Sequence, residues 1–100
     1  LEGAGGLMVP LTPDLLTIDY ISQQNYPIIL VTSGRLGSIN HTFLSLEAIK
    51  NRNLKLHSVI YNLSPHADEI IVQDSLNIIN QYIRKNFPEA FLMQMPEITI

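Results

Sequence analysis

The sequence predicts an α/β fold: a three-layer sandwich built on a mostly parallel sheet. Three observations predict it. Short apolar runs alternate with longer amphipathic ones along the chain. One of the short runs, Pro27-Ile28-Ile29-Leu30-Val31-Thr32, is nearly continuous and rich in β-branched residues, the pattern of a strand covered on both faces, as in parallel sheets. The order strand–helix–strand–helix–strand with short connections favours right-handed crossovers between parallel strands.

Each element has its own grounds. Leu7 to Asp14, with Pro10 and Pro13, reads as the one sizeable loop. A short helix follows from about Thr17 to Gln24, and then the Pro27–Thr32 strand. Ser38 is placed to cap a helix in which Ile39, Phe43, Leu46 and Ile49 recur at helical spacing. Leu56 to Tyr61 is the next strand, ending at Asn62. Asp68 and Glu69 put negative charge at the start of the following helix, which suits its dipole. That helix carries the stripe Val72, Leu76, Ile79 and Ile83, has Arg84 and Lys85 in its last turn, and stops before Pro88. Phe91 to Met95 is a weaker strand, halted by Pro96.

Composition narrows the function. One hundred residues hold at most one small domain. Nine acidic residues against six Lys and Arg leave a net charge of −3, which argues against nucleic acid as a partner. There is no cysteine, so neither disulfides nor thiolate metal sites arise. The apolar run Ile28–Val31 is far too short to span a bilayer, and no secretory signal pattern opens the chain. A soluble, cytoplasmic protein is expected. The mean hydropathy of +0.17 suggests strands buried on two faces, with further surface belonging against more polypeptide or a second subunit.

Ligands of open parallel sheets sit beyond the carboxyl ends of the strands. Three features fall at such ends: Glu2-Gly3-Ala4-Gly5-Gly6, Ser33-Gly34-Arg35-Leu36-Gly37-Ser38, and Asn62-Leu63-Ser64-Pro65. A carboxylate followed by a glycine-rich turn suits a hard cation beside phosphates, since a Cβ would block the approach. The same run also reads as an ordinary loop. No strand precedes Glu2, so the sequence reads as the C-terminal part of a domain. Gly37, Ser38, Ile39 and Asn40 open a helix, whose free N–H groups favour an anion such as a phosphate or carboxylate; a plain capped helix start is the alternative. Asn62 offers one donor and one acceptor to an adenine, or else serves only the turn before Ser64-Pro65. His41, His57 and His66 lack zinc-site spacing. Asp68 and Glu69 read as a solvated helix start, and no Ser/His/Asp grouping suggests nucleophilic catalysis.

Glu2-Gly3-Ala4-Gly5-Gly6-Leu7, Val9-Pro10-Leu11, Pro27-Ile28-Ile29-Leu30-Val31 and Leu36-Gly37-Ser38-Ile39-Asn40-His41 together closely resemble the second half of the ATP-dependent dethiobiotin synthetases. The resemblance is densest from Glu2 to Asn62. It implies a P-loop NTPase-like fold, a homodimer, and a place in biotin biosynthesis. The family carboxylates 7,8-diaminopelargonic acid with CO2, phosphorylates the carbamate with ATP, and closes the ureido ring with loss of phosphate. By this resemblance Glu2 is a Mg²⁺ ligand, and Glu2, Gly3, Ala4 and Gly5 lie along the nucleotide phosphates. Asn62 reads the adenine, Pro96, Glu97 and Ile98 line the base, and Gly37 to Asn40 bind the substrate carboxylate across the dimer interface. The family's GxxxxGK[ST] loop, its catalytic lysine and its second metal carboxylate have no counterpart in these residues, so this stretch by itself is not expected to catalyse the reaction. Leu63 stands where many relatives carry aspartate, and Glu97 where an apolar or aromatic residue is common. Other readings are a sibling P-loop ligase of the cobyrinate amidotransferase type, a partitioning ATPase, or a dimerising module without catalysis.

Overall fold

A computed structural model describes residues 6–33, 38–63 and 68–95. Its elements run β1 (Pro10–Thr12), β2 (Leu15–Leu16), α1 (Thr17–Gln24), β3 (Ile28–Ser33), α2 (Ser38–Asn51), β4 (Leu56–Asn62), α3 (Glu69–Asn86) and β5 (Phe91–Met95). Strands β3, β4 and β5 lie side by side in that order, and both pairings are parallel. The expected α/β class with a parallel sheet is the one observed.

Both crossovers step the same way across the sheet. Right-handed connections of that kind deliver both helices to one face. Accordingly α2 and α3 pack side by side over β4. Phe43 and Tyr82 meet edge to face with ring centroids 5.2 Å apart, and Lys50 donates to the Asn86 side chain. The core lies between helices and sheet: Leu46 and Ile49 from α2, Val72, Leu76, Ile79 and Ile83 from α3, and Val59 and Tyr61 from β4. All four stripe residues of α3 are buried, as their spacing predicts. Asp68 caps the helix, its Oδ1 accepting from the amides of Ile70 at 2.8 Å and Ile71 at 3.4 Å. Burial of its phenol, and then the nearby charge of Glu47, raise the Tyr82 pKa above the usual tyrosine value.

The opposite face of the sheet differs from expectation. Register sets Ile29, Ser58 and Phe91 in one row and Val31, Ile60 and Met93 in the next. Ile29, Val31, Phe91 and Met93 are all exposed, Val31 by 62%. The apolar run at β3 therefore belongs to a strand covered on one face by the described residues, where a third layer would cover the other. Two further corrections are local. Pro10–Thr12, inside the expected loop, pairs antiparallel with Leu15–Leu16 just after it as a small hairpin; strands of three and two residues leave no readable alternation. In α2, Ile39 is exposed and Thr42 is buried instead.

Candidate functional site

The carboxyl edge of the sheet is built by register. Ser33, Asn62 and Met95 are partners across three adjacent parallel strands, so they form one row on the face away from the helices. Asn62 stands at its centre. Just beyond, the Leu63 amide donates to the Met95 carbonyl at 2.7 Å, which carries the pairing of β4 and β5 to the end of both strands.

Asn62 is the most informative residue of this edge. Its Oδ1 is buried and accepts no hydrogen bond. A buried amide oxygen without a donor costs about 1–3 kcal/mol, so such an atom calls for a ligand or further chain to satisfy it. The Tyr61 hydroxyl is likewise buried without a partner, but alternation points it to the helical face.

The start of α2 reaches the same edge. Ser38 is the first residue of the helix, and its Oγ lies 3.2 Å from the Ser33 Oγ. Its carbonyl accepts from the Thr42 hydroxyl at 2.7 Å, and the Thr42 hydroxyl in turn meets that of Thr32 on β3. Ile39 and Asn40 are exposed beside this junction. The structure thus brings Ser38, Ile39 and Asn40 to the edge that also bears Asn62. Ser33, already placed at this edge by its sequence position, joins them, as do Thr32 and Thr42, which residue types alone did not single out. The signal for Thr42 was present in its spacing, because positions 42, 46 and 49 form one helical stripe.

Other expected site residues fall elsewhere. Glu2, Gly3, Ala4, Gly5, Gly37, Pro96, Glu97 and Ile98 lie outside the described residues. Gly6, the one described residue of the glycine-rich run, has φ of +111°, a backbone conformation that a side chain would strain. Phe43 is half-buried within this chain, edge to face with Tyr82. Among the described residues no three His, Asp or Glu cluster as a metal site, and no helix is long and apolar enough to cross a membrane. A cavity of about 610 Å³ opens beside β3, lined by Leu7, Tyr20, Tyr26, Leu30 and Ser45 among others; neither Asn62 nor the start of α2 borders it.

A parallel sheet with a helix start at its carboxyl edge is the arrangement in which open α/β domains bind their ligands, and it places the chain in the α/β class. More specifically, residues 1–99 match the family model described as AAA domain, and the chain belongs to that family. It is 46% identical over its full length to the ATP-dependent dethiobiotin synthetase BioD 2 of Pasteurella multocida, spanning 47% of that protein. Over 73 residues it is 59% identical to the protein of the same name from Haemophilus influenzae, which is 73% of this chain and 38% of that one. The ATP-dependent dethiobiotin synthetase BioD of Chlorobaculum tepidum is 46% identical over 91 residues, covering 90% of this chain and 38% of the relative. The chain spans about half the length, or less, of these relatives.

Proposed function

We propose that this chain is the C-terminal part of a dethiobiotin synthetase. Its parent is an ATP- and Mg²⁺-dependent ligase that closes the ureido ring of dethiobiotin from 7,8-diaminopelargonate and CO2 or bicarbonate. The observation that carries the reading is Asn62: a buried amide oxygen without a donor, at the carboxyl end of the central described strand. An adenine supplies what it lacks, because the exocyclic amine donates to Oδ1 while a ring nitrogen accepts from the amide NH₂. The relatives' names support ATP as the nucleotide.

In this reading each part of the edge has one task. Asn62 orients the base, with Pro96, Glu97 and Ile98 following directly after β5 to flank it. The first turn of α2, at Gly37, Ser38, Ile39 and Asn40, holds the substrate carboxylate with its unsatisfied amides and the positive end of its dipole. Glu2 supplies a carboxylate oxygen for the cation, and Gly3 to Gly5 let the phosphates approach the backbone. The cation, when bound, neutralises charge developing on the phosphoryl oxygens. The chain's own share is binding and alignment: setting the carbamate of one amine against the nucleotide, and the second amine within reach of the activated carbonyl.

The open sheet face supports the fragment reading. β3 carries an apolar run at the sheet edge, with Ile29 and Val31 exposed. Such an edge invites pairing or aggregation unless covered, and the remainder of a protein twice this length supplies a cover. In that frame residues 1–100 are one part of a single domain whose P-loop lies upstream, and the parent is a cytoplasmic homodimer. Exposed Ile39 at the start of α2 offers apolar surface for the subunit contact.

Mass spectrometry of the products tests the proposal. The full-length protein given the diamine, bicarbonate and MgATP should form dethiobiotin with release of ADP and phosphate. In Asn62→Ala the KM for ATP should rise about tenfold, the equivalent of one lost hydrogen-bonded contact of about 1.4 kcal/mol, with kcat nearly unchanged. A full-length protein that forms no ureido product, or an unchanged KM in the variant, contradicts it.

A further inference from the structure

The two threonines at the root of α2 have no place in the reading above, yet their hydrogen bonds lead into it. Thr32 is 8% and Thr42 3% exposed, so both hydroxyls are out of water. A threonine hydroxyl has one proton to give. Thr42 gives its proton to the Ser38 carbonyl. The contact between the two hydroxyls is therefore made by the proton of Thr32, and the relay has a fixed direction: Thr32 to Thr42 to Ser38. It ties the carboxyl end of β3 to the first residue of α2. The Ser33–Ser38 hydroxyl contact at 3.2 Å is a second tie between the same two segments.

A simple stabilising contact would not need this arrangement. Valine has nearly the same shape as threonine and no polar atoms to satisfy, and apolar residues fill the next stripe positions, Leu46 and Ile49. Hydroxyls at both buried positions add direction rather than packing. Threonine back-bonding to the carbonyl four residues earlier also tends to bend a helix, and here it acts on the first turn of α2, beside the end of β3.

From this we infer that Thr42, aligned by Thr32, is a positioning residue that sets the first turn of α2 for the substrate carboxylate. The inference rests on the carboxylate site proposed for that turn. A misplacement of about 1 Å in a binding group far from the bond-making atoms is enough to weaken its contribution many-fold.

The direction of the relay orders the variants. Thr42→Val breaks both links and leaves the Thr32 proton without an acceptor. Thr32→Val removes only the donor and leaves the Thr42–Ser38 bond intact. Thr42→Ser keeps the whole relay. In the full-length protein, Thr42→Val should raise the KM for the diamine about tenfold, with the KM for ATP and kcat within about twofold. Thr32→Val should raise it about threefold, and Thr42→Ser should restore it. A purely structural role lowers the melting temperature and leaves the ratio of the two KM values unchanged; that result, or equal rises in both KM values, overturns the inference. Amide hydrogen exchange provides an arm that needs no turnover and so stands even if the protein makes no dethiobiotin. Thr42→Val should speed exchange at the amides of Thr42 to Ser45, which donate to the carbonyls of the first turn of α2, more than in its last two turns. Uniform exchange along the helix overturns the inference, whereas wild-type protein without ureido product counts against the function and leaves the exchange result to decide.

Discussion

Glu2→Gln in the full-length protein should cut MgATP-dependent turnover by about a hundredfold. Glutamine keeps the size of the side chain and one oxygen but removes the negative charge. A hard cation held by one or two carboxylates and phosphate oxygens loses much of its protein anchoring when one carboxylate becomes an amide. Phosphoryl transfer is catalysed almost wholly by positioning and charge stabilisation, so the loss should appear in kcat and not only in binding. Initial rates measured across a Mg²⁺ series check this: the variant should need more Mg²⁺ and still plateau low. Turnover equal to wild type would remove Glu2 from the metal site.

The second large effect concerns stability. Leu46 is fully buried between α2 and the sheet, whereas Leu44, two residues earlier on the same helix, is 56% exposed. Truncating a fully buried leucine forfeits its transfer energy and leaves a cavity, a cost of about 3–4 kcal/mol. That is a large share of the roughly 5–15 kcal/mol that holds a domain together. Leu46→Ala should therefore lower the urea midpoint of the full-length protein steeply, and Leu44→Ala should shift it by the equivalent of less than about 1 kcal/mol. Equal effects at the two positions would mean that α2 does not present the face described.

How much of this was legible beforehand depended on how far apart the deciding residues lie. The α3 stripe Val72, Leu76, Ile79 and Ile83 announces a helix and its buried face by spacing alone, and all four are buried. Helix α1 and strand β5 fell where local pattern put them. The exposed Ile29 and Val31 could not be read, because a run of apolar residues says that a strand is suited to cover on both faces without saying which polypeptide supplies it. Ile39 shares the helical spacing of Leu46 and Ile49 yet is exposed, because periodicity alone does not say which end of a stripe the rest of the chain covers. Buried Thr42 escaped notice for a different reason. Threonine reads as a surface residue until Thr32, ten positions away on another element, is seen to satisfy it. At the site, Asn62 was visible as a strand-end amide, but its missing hydrogen-bond donor is a property of packing and appears only in the fold.

A nucleotide base at Asn62 and a substrate carboxylate at the first turn of α2 would share one edge of one sheet. Amide and side-chain NMR shifts of isotopically labelled full-length protein, titrated separately with MgATP and with the diamine, measure that directly. MgATP should move the Asn62 side-chain amide and the Leu63 backbone amide, and the diamine should move Ser38, Ile39 and Asn40. If saturating amounts of both leave these resonances in place while shifting others, the carboxyl edge of this sheet is not the site, and the account is wrong at its centre.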